Sequence, residues 1–272
     1  MVKISRVSCQ EKAPLLVLFG LIGFLLYCYF NSYVIQSNLG SLDISISVVV
    51  GVSALLGLAS LIVCAVSDPG TVPHDFSVEG IPEDSLQKLE ASMVEIDHCY
   101  SKVTFCTHCA NYRPHRAHHC KVCRKCVLRF DHHCVLVGNC VGCRNHKAFV
   151  LFLLYLGVSA GAIGAQTASK ALDQASWKLV FCGVFGNLAF LGLVCFGCFH
   201  LCLVAKNKTT LETKLNFNVF DTQSVKTNFT QVFGTSACLW FFPSLNSECL
   251  IFPVRIRKKS GGCFLVKDKY IL

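Results

Sequence analysis

The sequence predicts an all-α membrane protein with four transmembrane helices and a cysteine-rich domain between helices 2 and 3. Two observations predict this fold class. Four long stretches carry no Asp, Glu, Lys or Arg, namely 13–40, 44–67, 148–169 and 179–205, and each is long enough for the roughly 20 apolar residues that span a bilayer as a helix. A dense cluster of cysteine and histidine lies between the second and the third stretch.

The composition agrees with a protein that lies largely in lipid. Hydrophobic residues make up 53% of the chain and charged residues 15%, whereas soluble domains carry about 25% charged residues. The first stretch could instead be a cleaved signal peptide, because Lys3, Arg6 and Lys12 precede it. Its apolar run 15–30 exceeds the ~7–15 residues of a signal peptide and has no small-residue cleavage pattern. We therefore expect a signal anchor that is retained.

The basic residues predict the orientation in the membrane, since they concentrate on the cytosolic side. Segments 1–12, 67–147 and 206–272 hold three, ten and ten Lys or Arg, whereas the connections 31–43 and 170–178 hold none and two. Both termini and the middle segment are therefore expected in the cytosol. The predicted domains are an N-terminal tail 1–12, transmembrane helices 1 and 2 in 13–67, a cytosolic cysteine-rich domain 68–147, helices 3 and 4 in 148–205, and a cytosolic C-terminal tail 206–272.

Two connecting segments carry weaker signals. Asp68-Pro69-Gly70 ends the second span abruptly, because Pro and Gly begin a turn and cannot continue a helix. Segment 71–97 is predicted to be a surface connection with a short helix. The C-terminal tail contains aromatic residues such as Trp240 and Phe241, so it is expected either to pack against the cytosolic domain or to lie in the membrane interface.

The cysteine cluster predicts metal binding or catalysis. Nineteen cysteines would suggest disulfides in a small secreted protein, but the cluster lies in a segment assigned to the reducing cytosol. Cysteine pairs spaced two apart grip a tetrahedral Zn²⁺, and histidine supplies the remaining donor. Eight residues complete two closed sites of three cysteines and one histidine: Cys106, Cys109, His119, Cys120, Cys123, Cys126, His133 and Cys140.

Structural zinc sites leave Asp131, His132 and Cys134 without a role. A nucleophilic cysteine needs a neighbouring base or cation, because an ordinary thiol is only partly ionised in the cytosol. His132 can take the proton of Cys134, and Asp131 can hold the imidazole in the required tautomer. Asp131 can equally be a partner of a zinc-bound histidine, and the spacing does not decide between these two interpretations.

The run Asp131-His132-His133-Cys134, within this cysteine pattern and between spans two and three, resembles the DHHC protein S-acyltransferase (palmitoyltransferase) family. The resemblance covers most of the chain. Other matching features are Asp68-Pro69-Gly70, Pro114, Arg116, His119 and Cys120, Asn139-Cys140-Val141-Gly142, Asn145, the TTxE motif Thr209-Thr210-Leu211-Glu212, and the tail segment 228–234.

The resemblance implies a fold, an activity and roles for residues. The fold is a tepee of four helices around an acyl-chain cavity, capped on the cytosolic side by the zinc domain. One zinc would be held by Cys106, Cys109, His119 and Cys126, and the other by Cys120, Cys123, His133 and Cys140.

Cys134 would be the nucleophile that accepts an acyl group from acyl-CoA, His132 the general base and Asp131 its orienter. Thr210 would hydrogen-bond near Asp131. The acceptors would be cysteines of cytosol-facing, membrane-associated proteins, and the setting is expected to be the endoplasmic reticulum or the Golgi.

One departure from the family pattern leaves alternatives open. Val135-Leu136 stand where the family usually has Pro-Trp, so the chain could be a catalytically weak relative that acts as a zinc-stapled membrane scaffold. It could also be a membrane-anchored zinc module that binds nucleic acid or protein through basic residues such as Arg113 and Lys121. These charges lie near the bilayer, where phosphates of CoA or lipid are the expected partners rather than nucleic acid.

A tract of small residues in the third span suggests where the acyl chain ends. Residues 157–165 are almost all small, and the family's acyl chain is expected to point to the lumenal end of the cavity. Ser159 is predicted to face the end of a chain of about 16 or 18 carbons. Alternatively, the small residues only let helices approach closely.

Overall fold

The computed structural model describes residues 9–35, 39–73, 104–114, 116–174, 176–214, 224–245, 255–257 and 263–265. The short helix predicted in segment 71–97 lies outside the described residues, apart from 71–73.

Four long apolar helices form the body of the protein: α1 Cys9–Tyr29, α2 Ser41–Val66, α3 His146–Gln174 and α4 Trp177–Ala205. A π-helical turn, Phe30–Val34, continues α1. All four are long and apolar enough to cross a membrane, which confirms the predicted fold class. The chain is therefore a multi-pass membrane protein.

Helix α3 begins at His146, two residues before the uncharged stretch 148–169, and its first residues are not solvated. The side chain of Lys147 is buried, and its amine donates hydrogen bonds to the carbonyl of Leu239 and to Ser244 Oγ at 2.5 and 2.7 Å. A protein acceptor thus replaces water at the start of the helix.

Glycines let α3 lie close to both of its neighbours. A Cβ atom at Gly57 of α2 would stand 2.6 Å from the side chain of Leu156 on α3. On the opposite side, a Cβ at Gly161 or Gly164 would meet Phe190 or Asn187 of α4 at 2.6 or 2.7 Å. Small residues at such contacts are a common means of packing helices in membranes.

Polar side chains join the helices at the end away from the cysteine-rich domain. Tyr29 of α1 donates to Gln166 Oε1 of α3 at 2.5 Å and shares a hydrogen bond with Ser47 Oγ of α2 at 2.8 Å. Nearby, Tyr33 donates to Asp43 at 2.8 Å. Buried polar groups in an apolar bundle need such partners, so these bonds fix the three helices against one another.

In its described residues, 104–114 and 116–141, the cysteine-rich domain forms three short antiparallel hairpins between α2 and α3. Their strands are β1 Thr104–Cys106 with β2 Asn111–Arg113, β3 His118–Cys120 with β4 Lys125–Val127, and β5 His132–Cys134 with β6 Asn139–Val141. In the second hairpin His119 lies opposite Cys126, and in the third His133 lies opposite Cys140. Each of these pairs places a histidine and a cysteine side by side.

Two asparagines and a glycine fasten this domain to the end of α2. The amide of Asn139 donates to the carbonyls of Cys64 and Ser67 at 3.0 and 2.8 Å, and that of Asn145 donates to Cys64 at 3.2 Å. These bonds satisfy carbonyls that a helix end leaves without partners. A Cβ at Gly142 would stand 2.7 Å from the carbonyl of Pro69, so only glycine fits this contact.

The C-terminal tail folds back onto α3 and α4, a packing that differs from the two expectations of the sequence. Helix α5, Val225–Phe233, is tied to the end of α4 by Asn228, whose amide donates to the carbonyl of Ala205 at 2.7 Å. Trp240 stacks on Phe229 with ring centroids 5.9 Å apart. A separate hairpin pairs β7 Arg255–Arg257 with β8 Cys263–Leu265.

Candidate active site and metal centres

The first metal-ligand set draws on the first two hairpins. It consists of Cys106, Cys109, His119 and Cys126, whose ligand atoms lie within 4.8 Å of one another. His119 Nδ1 stands 3.6, 3.2 and 3.9 Å from the sulfurs of Cys106, Cys109 and Cys126, and the sulfurs of Cys109 and Cys126 are 3.7 Å apart.

The second set joins the second and third hairpins. It consists of Cys120, Cys123, His133 and Cys140. His133 Nδ1 stands 3.7, 3.4 and 3.7 Å from these three sulfurs in chain order, and the sulfurs of Cys123 and Cys140 are 3.4 Å apart. Because the two sets alternate along the chain, the second hairpin contributes to both and locks the domain together.

Both donor sets fit zinc. Bond lengths of about 2.3 Å to sulfur and 2.0–2.1 Å to nitrogen in a tetrahedron place neighbouring ligand atoms about 3.6–3.8 Å apart, close to the distances seen here. Three thiolates and one imidazole are also a usual ligand set of structural zinc. The two sets are those that the family resemblance assigned.

A chain of hydrogen bonds runs from the TTxE segment to the imidazole beside the third hairpin. The backbone N–H and the hydroxyl of Thr210 donate to the two carboxylate oxygens of Asp131 at 2.9 and 2.6 Å. Asp131 Oδ2 also accepts from His132 Nδ1 at 2.7 Å. The carboxylate side chain is fully buried, so these three hydrogen-bond donors replace the water that would surround it in solution.

Hydrogen bonds determine the charges of Asp131 and His132. Burial by itself would raise the pKa of Asp131, but the bonds from His132 and Thr210 outweigh it and hold that pKa far below its usual range. Burial would lower the pKa of His132, whereas Asp131 on one side and Cys134 on the other raise it to about 9. An imidazole between a carboxylate and a thiol is the arrangement of an oriented nucleophile and base.

Cys134 ends strand β5 and borders the apolar interior of the helical bundle. Its half-buried side chain packs against a cluster that includes Cys64, Val137 and Phe149. The following residues, Val135 and Leu136, form the hairpin tip and are 62% and 55% exposed. Leu136 and residues of the first half of α1 line an apolar groove of about 430 Å³.

A buried ion pair connects the TTxE segment to the cysteine-rich domain. Arg116 donates through Nε and Nη2 to the carboxylate of Glu212 at 2.8 and 2.7 Å, and through Nη1 to Asn207 Oδ1 at 3.0 Å. Both residues belong to motifs of the resemblance, yet their 96-residue separation gives no signal that they pair. This pair places Thr210 beside Asp131.

Three further polar residues next to the site were not predicted to belong to it. Arg129, His146 and His200 are buried, and the histidines lie near Asp131. His200 is a single polar residue in an apolar run, whereas His146 stands within the polar run 144–147. Neither pattern carries a spacing signal for a role at the site.

Ser159 lies away from the hairpins, halfway along α3. It is 3% exposed, and its hydroxyl donates a long hydrogen bond of 3.4 Å to the carbonyl of Val50 on α2. The position is thus at a helix contact, and nearby Gly161 and Gly164 contact α4. Close approach of helices accounts for the glycines of the tract, whereas the role of Ser159 stays a prediction.

Comparison with known proteins agrees with this geometry. The DHHC palmitoyltransferase family matches residues 100–216. Probable protein S-acyltransferase 13 of Arabidopsis thaliana is 33% identical over 84% of this chain and 83% of its own. Probable protein S-acyltransferase 12 of the same plant is 36% identical over 67% of each chain, and palmitoyltransferase ZDHHC15A of Danio rerio is 39% identical over 59% of this chain and 54% of its own.

These relatives, the two zinc-fitting sets and the Thr210–Asp131–His132 chain beside Cys134 agree on one assignment. The protein belongs to the DHHC family of protein S-acyltransferases, or palmitoyltransferases.

Proposed function

We propose that the protein transfers a long-chain acyl group from acyl-CoA to cysteines of other proteins through an acyl-enzyme on Cys134. The observation that carries this proposal is the place of Cys134. It is the one cysteine of 106–140 outside both zinc-fitting sets, it follows two residues after His132 on strand β5, and it raises the pKa of that histidine. A thiol with a base at hand is the expected nucleophile.

In the first half-reaction His132 takes the proton of Cys134. The Cys134 thiolate attacks the thioester carbonyl carbon of acyl-CoA, and the bond from that carbon to the CoA sulfur breaks. His132 returns the proton to the departing CoA thiolate. The negative charge of Asp131, held in place by Thr210, stabilises the imidazolium that exists between these steps.

In the second half-reaction the roles of the sulfurs are exchanged. The thiol of a substrate cysteine gives its proton to His132 and attacks the acyl carbon on Cys134. The thioester to Cys134 breaks, and His132 protonates the released Cys134 thiolate. The two half-reactions share one base and one carbon centre, so ping-pong kinetics are expected.

The surroundings of Cys134 suit acyl-CoA, which combines an apolar acyl chain with a charged nucleotide. The aliphatic chain can lie in hydrocarbon along the apolar residues that border Cys134, at about 0.8 kcal/mol for each buried methylene. The phosphates stay in water near basic residues. This division favours long-chain acyl-CoA over short-chain donors.

Zinc is proposed to be structural at both sites. Three cysteines and one histidine fill a tetrahedron and leave no open position for water or substrate. The chain's own residues do the chemistry, while the metal ions would hold the three hairpins that carry Asp131, His132 and Cys134. A segment this small and polar needs such staples.

The orientation and setting follow from charge and from the family. The excess of basic residues in both terminal tails and in the cysteine-rich domain supports a cytosolic position for them, so the acceptors would be cytosol-facing proteins at the membrane. Endoplasmic reticulum or Golgi is the proposed location. Ser159 is proposed to face the end of the acyl chain.

A catalytically weak scaffold is the alternative raised by Val135-Leu136. Their exposed position at the hairpin tip means that the loss of Pro and Trp alters the surface beside Cys134. It leaves the hydrogen bonds of Asp131 and His132 in place. A scaffold has no need of this aligned set, so the enzyme is the favoured function.

Labelling with a fluorescent acyl-CoA tests the proposal. The purified protein should retain the label through denaturing electrophoresis and lose it in hydroxylamine, and Cys134→Ser should take up none. Cys143→Ala is the matched control, since Cys143 is a buried cysteine of the same domain outside both sets. Full labelling of Cys134→Ser would assign the acyl group to another residue.

A further inference from the structure

A buried row of three polar side chains lies beside Asp131 and has no part in the proposed mechanism. Arg129 precedes Asp131 in the chain, His146 begins α3, and His200 lies near the end of α4. Their exposed fractions are 2%, 0% and 0%. A carboxylate oxygen of Asp131 and ring nitrogens of both histidines lie within 4.8 Å of one another. Polar groups that are buried this deeply normally have hydrogen-bond partners and a structural or functional role.

The hydrogen bonds of this row have a fixed direction. A guanidinium can only donate, so His146 Nδ1 accepts from Arg129 Nη1, 2.8 Å away. The proton of the neutral His146 ring is then on Nε2, which donates to His200 Nδ1 at 3.2 Å. His200 in turn carries its proton on Nε2, which has no partner in the described part of the chain. Phe196 and Phe199 pack edge-on against this ring, and the bond from His146 decides which of its nitrogens faces His146.

The oriented ring of His200 stands behind the ring of His132. Their centroids are 5.9 Å apart. Phe149 meets both rings edge-on, at 5.1 Å from His132 and 5.0 Å from His200. Asp131 holds His132 at a single atom, Nδ1, which leaves the far side of the ring, toward Cys134, to be held by packing.

We propose that His200 is a positioning residue for His132, oriented by a relay of hydrogen bonds from Arg129 through His146. The relay joins the cysteine-rich domain, α3 and α4. His132 therefore stays close to Cys134 only while these three parts keep their relative positions. This inference rests on the proposed role of His132 as the general base.

The same side chains could also suggest a third metal site made of Asp131, His146 and His200. The geometry disfavours it. A cation there would face the charge of Arg129, and His146 Nδ1 already uses its lone pair to accept from that guanidinium. Elemental analysis is therefore expected to find two zinc ions per chain, and a third ion lost in His200→Leu would overturn the relay.

Two pairs of variants test the relay in the full-length protein. His200→Leu should lower the rate constant of Cys134 acylation about 10- to 100-fold, the usual cost of losing a group that orients a functional side chain, with KM for palmitoyl-CoA and zinc content unchanged. His200→Asn keeps an acceptor where Nδ1 stands and should recover part of this loss, whereas His200→Gln should not. Cys195→Ser, on the exposed side of α4, is the control and should acylate normally.

A double-mutant cycle separates positioning from mere structural support. If His200 acts through His132, His200→Leu should cause no further loss in a His132→Ala background. An equal loss in both backgrounds, or Gln restoring activity better than Asn, would overturn the inference. Normal acylation by His132→Ala itself would instead contradict the proposed function, so the two failures are distinguishable. Should His200→Leu not fold, the comparison of Asn with Gln still decides.

Discussion

Replacing Thr210 with valine removes one hydroxyl and preserves the shape of the side chain. That hydroxyl donates to Asp131 Oδ2 at 2.6 Å, while the backbone N–H of Thr210 holds Oδ1 at 2.9 Å. The backbone bond and the bond from His132 survive the substitution. The variant therefore weakens the support of Asp131 without leaving the carboxylate unpaired.

The expected size of the effect follows from the charge of the acceptor. A hydrogen bond to a charged group contributes about 1.5–3 kcal/mol, and about 1.4 kcal/mol corresponds to a tenfold change in rate. Because two of the three donors to Asp131 remain, we expect the lower end of this range. Thr210→Val should acylate Cys134 about tenfold more slowly than the wild type.

Single-turnover acylation with saturating palmitoyl-CoA measures this rate directly. Thr210→Ser retains the hydroxyl and should acylate at nearly the wild-type rate. Thr213→Val removes an exposed hydroxyl in the same turn, which bonds only to the carbonyl of Thr210, and it should be neutral. A Thr210→Val protein with normal zinc content and an unchanged rate would refute the claim that Thr210 supports the base through Asp131.

Three other substitutions have defined outcomes. Cys123→Ala should lose the second zinc and lower the thermal midpoint of unfolding, and a protein that kept two zinc ions by elemental analysis would require a different ligand set. Glu212→Gln leaves the guanidinium of Arg116 buried beside a neutral amide, so the free energy of unfolding should fall by about 3–5 kcal/mol; a loss under about 1 kcal/mol in denaturant titration would contradict this. Ser159→Phe should shift selectivity toward about 14 carbons, since overpacking fills the space of the last methylenes, and an unchanged profile among C14, C16 and C18 acyl-CoA would assign Ser159 to packing alone.

The sequence alone predicted the features that depend on local composition. Long uncharged runs predict membrane helices because the bilayer tolerates little else. Cysteine pairs two apart predict a metal turn because few other uses need that spacing. The assignment of ligands to two separate sets came from the family resemblance, since spacing alone permits several divisions of eight ligands.

The sequence did not predict the contacts between distant segments. Nothing local pairs Arg116 with Glu212, or brings His200 of α4 to His132 of the third hairpin, because each contact depends on how the helices and the domain pack together. The buried contacts of Lys147 are a further example. From the sequence, Lys147 looks like a solvated residue just before a membrane span, because its hydrogen-bond acceptors in the distant tail are not apparent.

Peptide mapping by mass spectrometry identifies the residue that carries the acyl group. The wild-type protein would be incubated with palmitoyl-CoA, digested without reductant and mapped, with and without a chase by a cysteine-containing acceptor peptide. We expect one palmitoyl thioester, on Cys134, that disappears as the acceptor becomes acylated. A palmitoyl group on another cysteine, or one on Cys134 that the acceptor cannot remove, would contradict it.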